Sequence, residues 1–107
     1  MTTPCDAWAM STFAVLEERF GAWDWSRDLR DQDGFADHAA VMDALVDDGF
    51  IVLGGPVGDG KHVLLIVDAD DSADVHARLA VDPWIGERLR VTRIEPWTIL
   101  LRQAAQS

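Results

Sequence analysis

The sequence predicts an α+β fold, because two kinds of segment follow one another along the chain. Four segments are rich in β-branched and aromatic residues, a composition typical of strands. Two segments carry apolar residues at steps of three and four, which is the spacing of one helix face. Their order along the chain is strand, helix, strand, strand, helix, strand.

The first half of the chain provides a strand, a loop and a helix. STFAVLEERF (11–20) alternates partly and predicts the first strand. The segment 21–34, with two tryptophans and four aspartates, has no clean period and predicts a loop with room for one helical turn. We expect Asp33 to cap a helix over residues 35–48, and Gly49 to end it in the left-handed conformation.

Three further strands are predicted in the second half. FIVLGGP (50–56) and KHVLLIVDA (61–69) predict two strands joined by a glycine-rich hairpin loop, GPVGDG. RLRVTRIEPWTILL (88–101) predicts the last strand. We expect this strand to be bent or interrupted at Pro96, because proline has no N–H to donate to a sheet.

A second helix lies between the last two predicted strands. Asp71 or Ser72 can cap it, and it runs through about Ala80 with Val75 and Leu79 pointing inward. The completed order is the ferredoxin-like βαββαβ pattern, a four-stranded antiparallel sheet with both helices on one face. The other face also needs a cover, as five tryptophans in so short a chain suggest, and a homodimer that packs sheet against sheet would provide it.

Composition limits the size of the fold and the choice of partners. A chain of 107 residues with 49% hydrophobic content is sufficient for one domain with a modest core, predicted over 12–101 between a flexible leader (1–11) and a C-terminal tail (102–107). A formal charge of −10 would repel the phosphates of DNA, RNA and anionic membrane surfaces. We therefore expect no nucleic-acid or membrane partner.

The cellular compartment is predicted from the single cysteine and the N-terminal segment. Cys5 is the only cysteine, so that no internal disulfide can form. The segment MTTPCDAWAMS has no basic region followed by an apolar run, and no stretch approaches the roughly 18 apolar residues of a membrane helix. These features favour a cytoplasmic protein.

Three short motifs resemble cofactor or metal sites but lack essential parts. GPVGDGK (55–61) matches part of a phosphate-binding loop, yet a strand follows the lysine and His62 replaces the Ser or Thr that would hold magnesium. DQDG (31–34) resembles half of a calcium loop, but Ala40 stands where the bidentate glutamate is needed. His62 and His76 lack the i, i+4 partner of a helical zinc pair. We therefore expect no metal and no other cofactor.

His38 is an unusual residue for its position. It lies on the apolar stripe of the first helix, followed by Met42, Leu45, Val46 and Gly49 at steps of four, seven, eight and eleven. A histidine on an apolar face is typically a hydrogen-bonded core residue. The alternative interpretation is that this end of the stripe lines a pocket.

Three segments in this order resemble the YciI-like (YCII-related) family of dimeric α+β barrels: HAAVMDALVDDGFIVLGGP (38–56), DPW (82–84) and IEPWTILL (94–101). The shared motif is a histidine at the head of the first helix, a Gly-Gly-Pro turn, and Asp-Pro followed by an aromatic residue. The segment AWDWSRDLRDQDG (22–34) departs from the shortest members of the family, which reach the helix by a plainer loop. The resemblance implies a homodimer, with His38 and Asp82 as a catalytic pair between helix and sheet.

Physical chemistry supports the same pair independently. A carboxylate that accepts from one ring nitrogen fixes the imidazole tautomer and leaves the other nitrogen free as acid or base. We expect the substrate to contact Gly54, Gly55 and Pro56 of the shared turn, Trp84 next to the Asp-Pro motif, and Arg30 and Trp25 of the loop before the helix. In that loop Arg27 can take the same role as Arg30, and Trp23 can form one wall of the pocket together with Trp25. The alternative for Arg30 is a surface salt bridge, and for Trp25 an anchor that holds the loop to the core.

The predicted chemistry is proton transfer on a small organic molecule. No serine or cysteine is expected to converge on His38, which disfavours acyl transfer. Proton abstraction and return remain, as in isomerisation, elimination or dehalogenation of a small cyclic or aromatic acid. The alternative is a non-catalytic dimer of the same fold that binds a small ligand or serves as an accessory unit.

Overall fold

The computed structural model describes residues 11–103. Cys5 and most of the predicted leader, with the last four residues of the predicted tail, lie outside this range. The elements follow the predicted order: β1 (Ser11–Arg19), a 3-10 turn (Leu29–Asp31), α1 (Phe35–Asp47), β2 (Ile51–Val57), β3 (His62–Ala69), α2 (Ser72–Leu79) and β4 (Leu89–Pro96). Ser11 therefore belongs to the first strand.

The four strands form one antiparallel sheet in the order β2-β3-β1-β4. This is the α+β, βαββαβ arrangement predicted from the sequence, with β3 and β1 at its centre. β4 ends at Pro96, in agreement with the predicted interruption. The Trp97 N–H still donates to the Thr12 carbonyl at 2.9 Å, residues 98–103 lie outside the strand, and Leu100 and Leu101 are exposed.

Both helices cover the same face of the sheet. Alternate residues of β1 and β3, such as Val15 and Val67, are fully buried in one core cluster. Val75 and Leu79 of α2 join this cluster, as predicted, and so does Leu45 of α1. The intervening residues of these strands lie on the opposite face, away from the core that α1 and α2 cover.

The predicted cap at the start of α1 is wrong. Gly34, with φ of 79°, occupies the cap position, and Asp33 makes no side-chain cap. The Asp33 carbonyl accepts a hydrogen bond from the Trp84 indole at 2.9 Å, while its carboxylate points into solvent near Arg27 and Arg88. The contact with Trp84 therefore holds the backbone directly before the cap residue.

The other predicted ends are confirmed. Gly49 follows α1 with φ of 87°, a conformation that glycine adopts without strain. The Asp71 carboxylate accepts from the Asp74 backbone N–H at 2.8 Å and caps α2.

The loop between β1 and α1 is ordered by a buried glutamine. Gln32 donates from Nε2 to the carbonyls of Asp24 (2.7 Å) and Arg27 (3.1 Å), and its Oε1 accepts from the Asp24 N–H. This arrangement turns Trp23 inward, where it packs edge-on against Trp84 with ring centroids 5.5 Å apart. The two rings and Leu89 form a second, smaller core cluster.

No helix in the described part of the chain combines the length and apolar character needed to cross a membrane.

The two glycines of β2 provide a test of strand packing. A Cβ on Gly54 would clash with the Leu65 side chain and lie 3.1 Å from the Leu64 carbonyl, whereas a Cβ on Gly55 would meet nothing within 4 Å. We expect Gly54→Ala to lower the free energy of unfolding by about 1–3 kcal/mol. Gly55→Ala should change it by less than about 1 kcal/mol. Urea denaturation of both variants measures the difference, and equal effects would contradict this packing.

Candidate functional site

A cavity of about 440 Å³ lies between α1, β2 and the loop that precedes α1. Its size is within the range of small-molecule sites. Most of its lining is apolar, and the ionisable residues among the described lining residues are Glu17, Arg19 and His38. The chemistry available to a bound molecule is therefore concentrated in three side chains from two elements.

His38 is held in one orientation by two neighbours. Its Nδ1 lies 2.8 and 2.9 Å from the two carboxylate oxygens of Asp82. Its ring stacks on the Trp84 indole, with centroids 3.9 Å apart and planes 11° from parallel. The side chain is 12% exposed. With Nδ1 donating to the carboxylate, Nε2 is the ring nitrogen left for other contacts.

The predicted stripe of α1 lines this cavity. Met42 and Val46, one and two turns after His38, are lining residues, while Leu45 turns into the main core. The position of His38 on an apolar face thus follows from its place in a cavity wall.

Asp82 lies behind His38 rather than in the cavity lining. Its side chain is fully buried, and it also accepts a hydrogen bond from the Trp84 backbone N–H at 3.0 Å. The turn that holds it is closed by the Ile85 N–H, which donates to the Asp82 carbonyl. A buried carboxylate needs such donors, because desolvation penalises an unpaired charge.

Glu17 is a cavity residue that the sequence analysis missed. It is 1% exposed, and its Oε2 has no hydrogen-bond partner among the described residues. Burial, and to a lesser degree the negative charge of Asp82, raises the pKa of Glu17 from 4.5 to about 7. The signal that could have found it is the period of two in β1, which places Glu17 on the same face as Phe13 and Val15.

Arg19 is the second missed residue, two positions further along the same face of β1. Its guanidinium lies over the Trp23 ring, 4.2 Å from the centroid, and Nη1 donates to the Gly60 carbonyl at 2.7 Å. Its buried Nε has no hydrogen-bond partner among the described residues. Burial lowers the pKa of this guanidinium. Arg19 takes part in no ion pair within residues 11–103, so its charge is available to a ligand.

The structure brings together most of the predicted substrate contacts. Gly54, Gly55, Pro56 and Trp84 all line the cavity with His38. Each comes from β2 or from the turn after α2.

Trp25 and Arg30 are not among the residues that line it. Trp25 is 60% exposed, and Arg30 is exposed on the 3-10 turn. The loop folds around Gln32 in such a way that Trp23 and Leu29 face the cavity in their place.

Comparison of the chain with protein-family models, with curated proteins and with solved structures finds no match. Within residues 11–103, no group of three or more His, Cys, Asp or Glu side chains is placed to hold a metal ion.

The raised pKa of Glu17 makes the free energy of unfolding depend on pH. The folded protein holds the Glu17 proton up to about pH 7, whereas the unfolded chain releases it near pH 4.5. Stability from this group is therefore fully present below about pH 4.5, falls as the pH rises to about 7, and is constant above it.

We expect Glu17→Gln to lack this dependence. The free energy of unfolding of the native protein should fall relative to that of the variant by at most about 3 kcal/mol between pH 4.5 and 7. Urea denaturation at several pH values gives both curves. Parallel curves for the two proteins would show that Glu17 titrates normally.

Proposed function

We propose that this protein is an enzyme that transfers protons on a small cyclic or aromatic acid, with His38 as the base and Asp82 as its positioning partner. The observation that carries the proposal is the His38–Asp82 hydrogen bond at the wall of a largely apolar cavity. In this arrangement the carboxylate stabilises the imidazolium that forms when His38 accepts a proton. The stacked Trp84 ring keeps the imidazole from rotating away.

The reaction begins when Nε2 of His38 removes a proton from a carbon of the substrate. The electron pair moves into an adjacent carbonyl or expels a leaving group, and the proton returns at another position or leaves to water. Isomerisation, elimination and dehalogenation all share this first step. The described residues that line the cavity include no Ser, Thr or Cys, which favours proton transfer over acyl transfer through such a nucleophile.

The resemblance to YciI-like proteins assigns the same roles to His38 and Asp82. Membership of that family is part of this proposal. Its support here is the order of the motifs along the chain and the α+β sheet topology on which they lie.

Exchange of substrate protons with solvent tests the proposal without knowledge of the product. We expect the protein in D₂O to introduce deuterium into members of a panel of unsaturated lactone acids and cyclic 2-oxo acids, followed by proton NMR. His38→Ala and His38→Gln should reduce exchange to the uncatalysed rate. Asp82→Asn should lower it by about 100-fold or more, because the imidazole loses its orientation and its counter-charge.

His76→Ala is the matched control, since His76 is an exposed histidine on α2 away from the cavity. It should exchange at the native rate. Equal exchange by the native protein and both His38 variants would refute the role of His38 as base. Unfolding of both variants would assign His38 to the core instead.

We also propose that two copies pack through the open face of the sheet, as the sequence analysis expected. Leu64 and Leu16 pair across β3 and β1 on this face, and the neighbouring Leu53 of β2 is 61% exposed. Such an apolar surface favours a partner copy of the same sheet.

Analytical ultracentrifugation tests this interface. We expect the native protein to sediment as a dimer and Leu64→Glu to shift it toward monomer, because a charge would be buried between the sheets. Val81→Glu, at an exposed apolar residue in the turn after α2, should remain dimeric. A native protein that is monomeric at all concentrations would refute the proposal.

A further inference from the structure

We infer that Glu17 and Arg19 form the anchor for the carboxylate of the ligand, and that binding of this carboxylate retains a proton on Glu17. The inference rests on the proposed function in one respect, that the cavity holds a small acid. Glu17 and Arg19 recognise the carboxylate of that acid, and the protein binds a proton together with it.

The geometry of β1 places Glu17 and Arg19 in the same cavity wall. Glu17 and Arg19 alternate onto the same side of the strand, and both line the cavity that His38 also lines. No ion pair within 4 Å joins them, although both are buried enough to gain from a partner. Each has one buried polar atom without a hydrogen bond in the described part of the chain, Oε2 of Glu17 and Nε of Arg19. Because buried polar groups normally have a hydrogen-bond partner, two such atoms on residues that line one cavity indicate that a bound molecule completes their hydrogen bonds.

The charges of the cavity favour a ligand with a carboxylate. The His38 imidazole donates a hydrogen bond to Asp82, while Arg19 has no carboxylate partner among the described residues. A protonated Glu17 adds a neutral donor. The cavity then offers one cation and one O–H donor, which is the set that a ligand carboxylate accepts. An amine would meet the guanidinium and be repelled.

The surroundings of Glu17 explain why the proton stays. Across the sheet its neighbours are the apolar Val63 and Val91. The charged or titratable groups that face it are Asp82 from the turn after α2, His38 from α1, and Arg19 on its own strand. A ligand carboxylate adds another negative charge beside Glu17. The ionised form of Glu17 is thereby disfavoured further, so the complex binds a proton that the free protein loses above about pH 7.

The experiment uses benzoate, with benzamide as its uncharged counterpart and cyclohexanecarboxylate as a second acid. Binding is followed by ¹⁵N–¹H correlation spectra of the native protein. We expect the Kd for benzoate to be constant between about pH 5.5 and 6.5. Above about pH 7 it should increase by up to about tenfold for each pH unit. Benzamide should bind at least about tenfold more weakly than benzoate at pH 6, because it lacks the charge that Arg19 pairs with.

Variants separate the two residues. Glu17→Gln keeps a neutral donor, so it should bind benzoate at pH 6 and lose the rise in Kd above pH 7. Arg19→Met should weaken benzoate binding by about 10- to 100-fold, and Arg19→Lys should restore part of it. Arg30→Met is the matched control, since Arg30 is an exposed arginine outside the cavity, and its Kd should equal the native value.

The inference is overturned if neither acid shifts the resonances of cavity residues at tens of millimolar, or if benzamide and benzoate bind equally well. It is also overturned if the Kd of the native protein for benzoate does not depend on pH, or if both Arg19 variants bind benzoate with the native affinity. His38→Gln keeps this test separate from the proposed function. Benzoate should bind to this variant with the native dependence on pH, whether or not any proton exchange is found. Failure of exchange with proton-coupled binding intact would refute the chemistry alone.

Discussion

The buried carboxylate of Asp82 is the interaction on which the candidate site depends. A carboxylate without exposed surface is costly unless donors surround it. Asp82 receives hydrogen bonds from His38 Nδ1 and from the Trp84 backbone, and so it joins α1 to the turn that leads into β4. The Trp84 ring closes the connection, since it stacks on His38 and donates to the Asp33 carbonyl at the start of α1. The position of the imidazole is therefore determined by two segments, α1 and the turn after α2, that meet at Asp82.

The same anion explains why the two buried carboxyl groups differ. Asp82 has donors on its oxygens, while Glu17 lies among apolar neighbours and has an unpartnered oxygen within the described residues. Desolvation and the nearby Asp82 charge both favour the neutral form of Glu17, with desolvation the larger cause. One carboxyl group thus accepts hydrogen bonds behind the histidine, and the other is available as a donor within the cavity. Environment, rather than residue type, assigns the two roles.

The sequence predicted the fold well because its evidence was local. Periods of two and of three to four indicate strands and helices directly, and Asp71 caps α2 through a residue only three positions away. The cap predicted at Asp33 fails because α1 begins one residue later, with Gly34 at the cap position, and the Asp33 carbonyl accepts from Trp84, 51 positions away. A long-range contact of this kind leaves no mark on the local pattern.

The site was predictable only in part for the same reason. His38 and Asp82 came from an apolar stripe and a motif order, both of which can be read along the chain. Trp23, and not Trp25, lines the cavity because the hydrogen bonds of Gln32 fix the conformation of the loop. Glu17 was readable from the alternation in β1, but a single acidic residue at the end of a strand is far more often exposed than buried.

An irregularity in the sheet lies beside Glu17. The register between β1 and β4 shifts between Leu16 and Glu17, because Leu16 pairs with Arg93 and Glu17 with Val91. Thr92 is the extra residue of this bulge, and its hydroxyl donates to the Leu16 carbonyl at 3.0 Å. A bulge twists the local strand and redirects the side chains beside it. Since β1 is paired on both sides, the chain cannot relax around a buried carboxyl group there, and the strand holds Glu17 and Arg19 at a fixed spacing opposite the helix that carries His38.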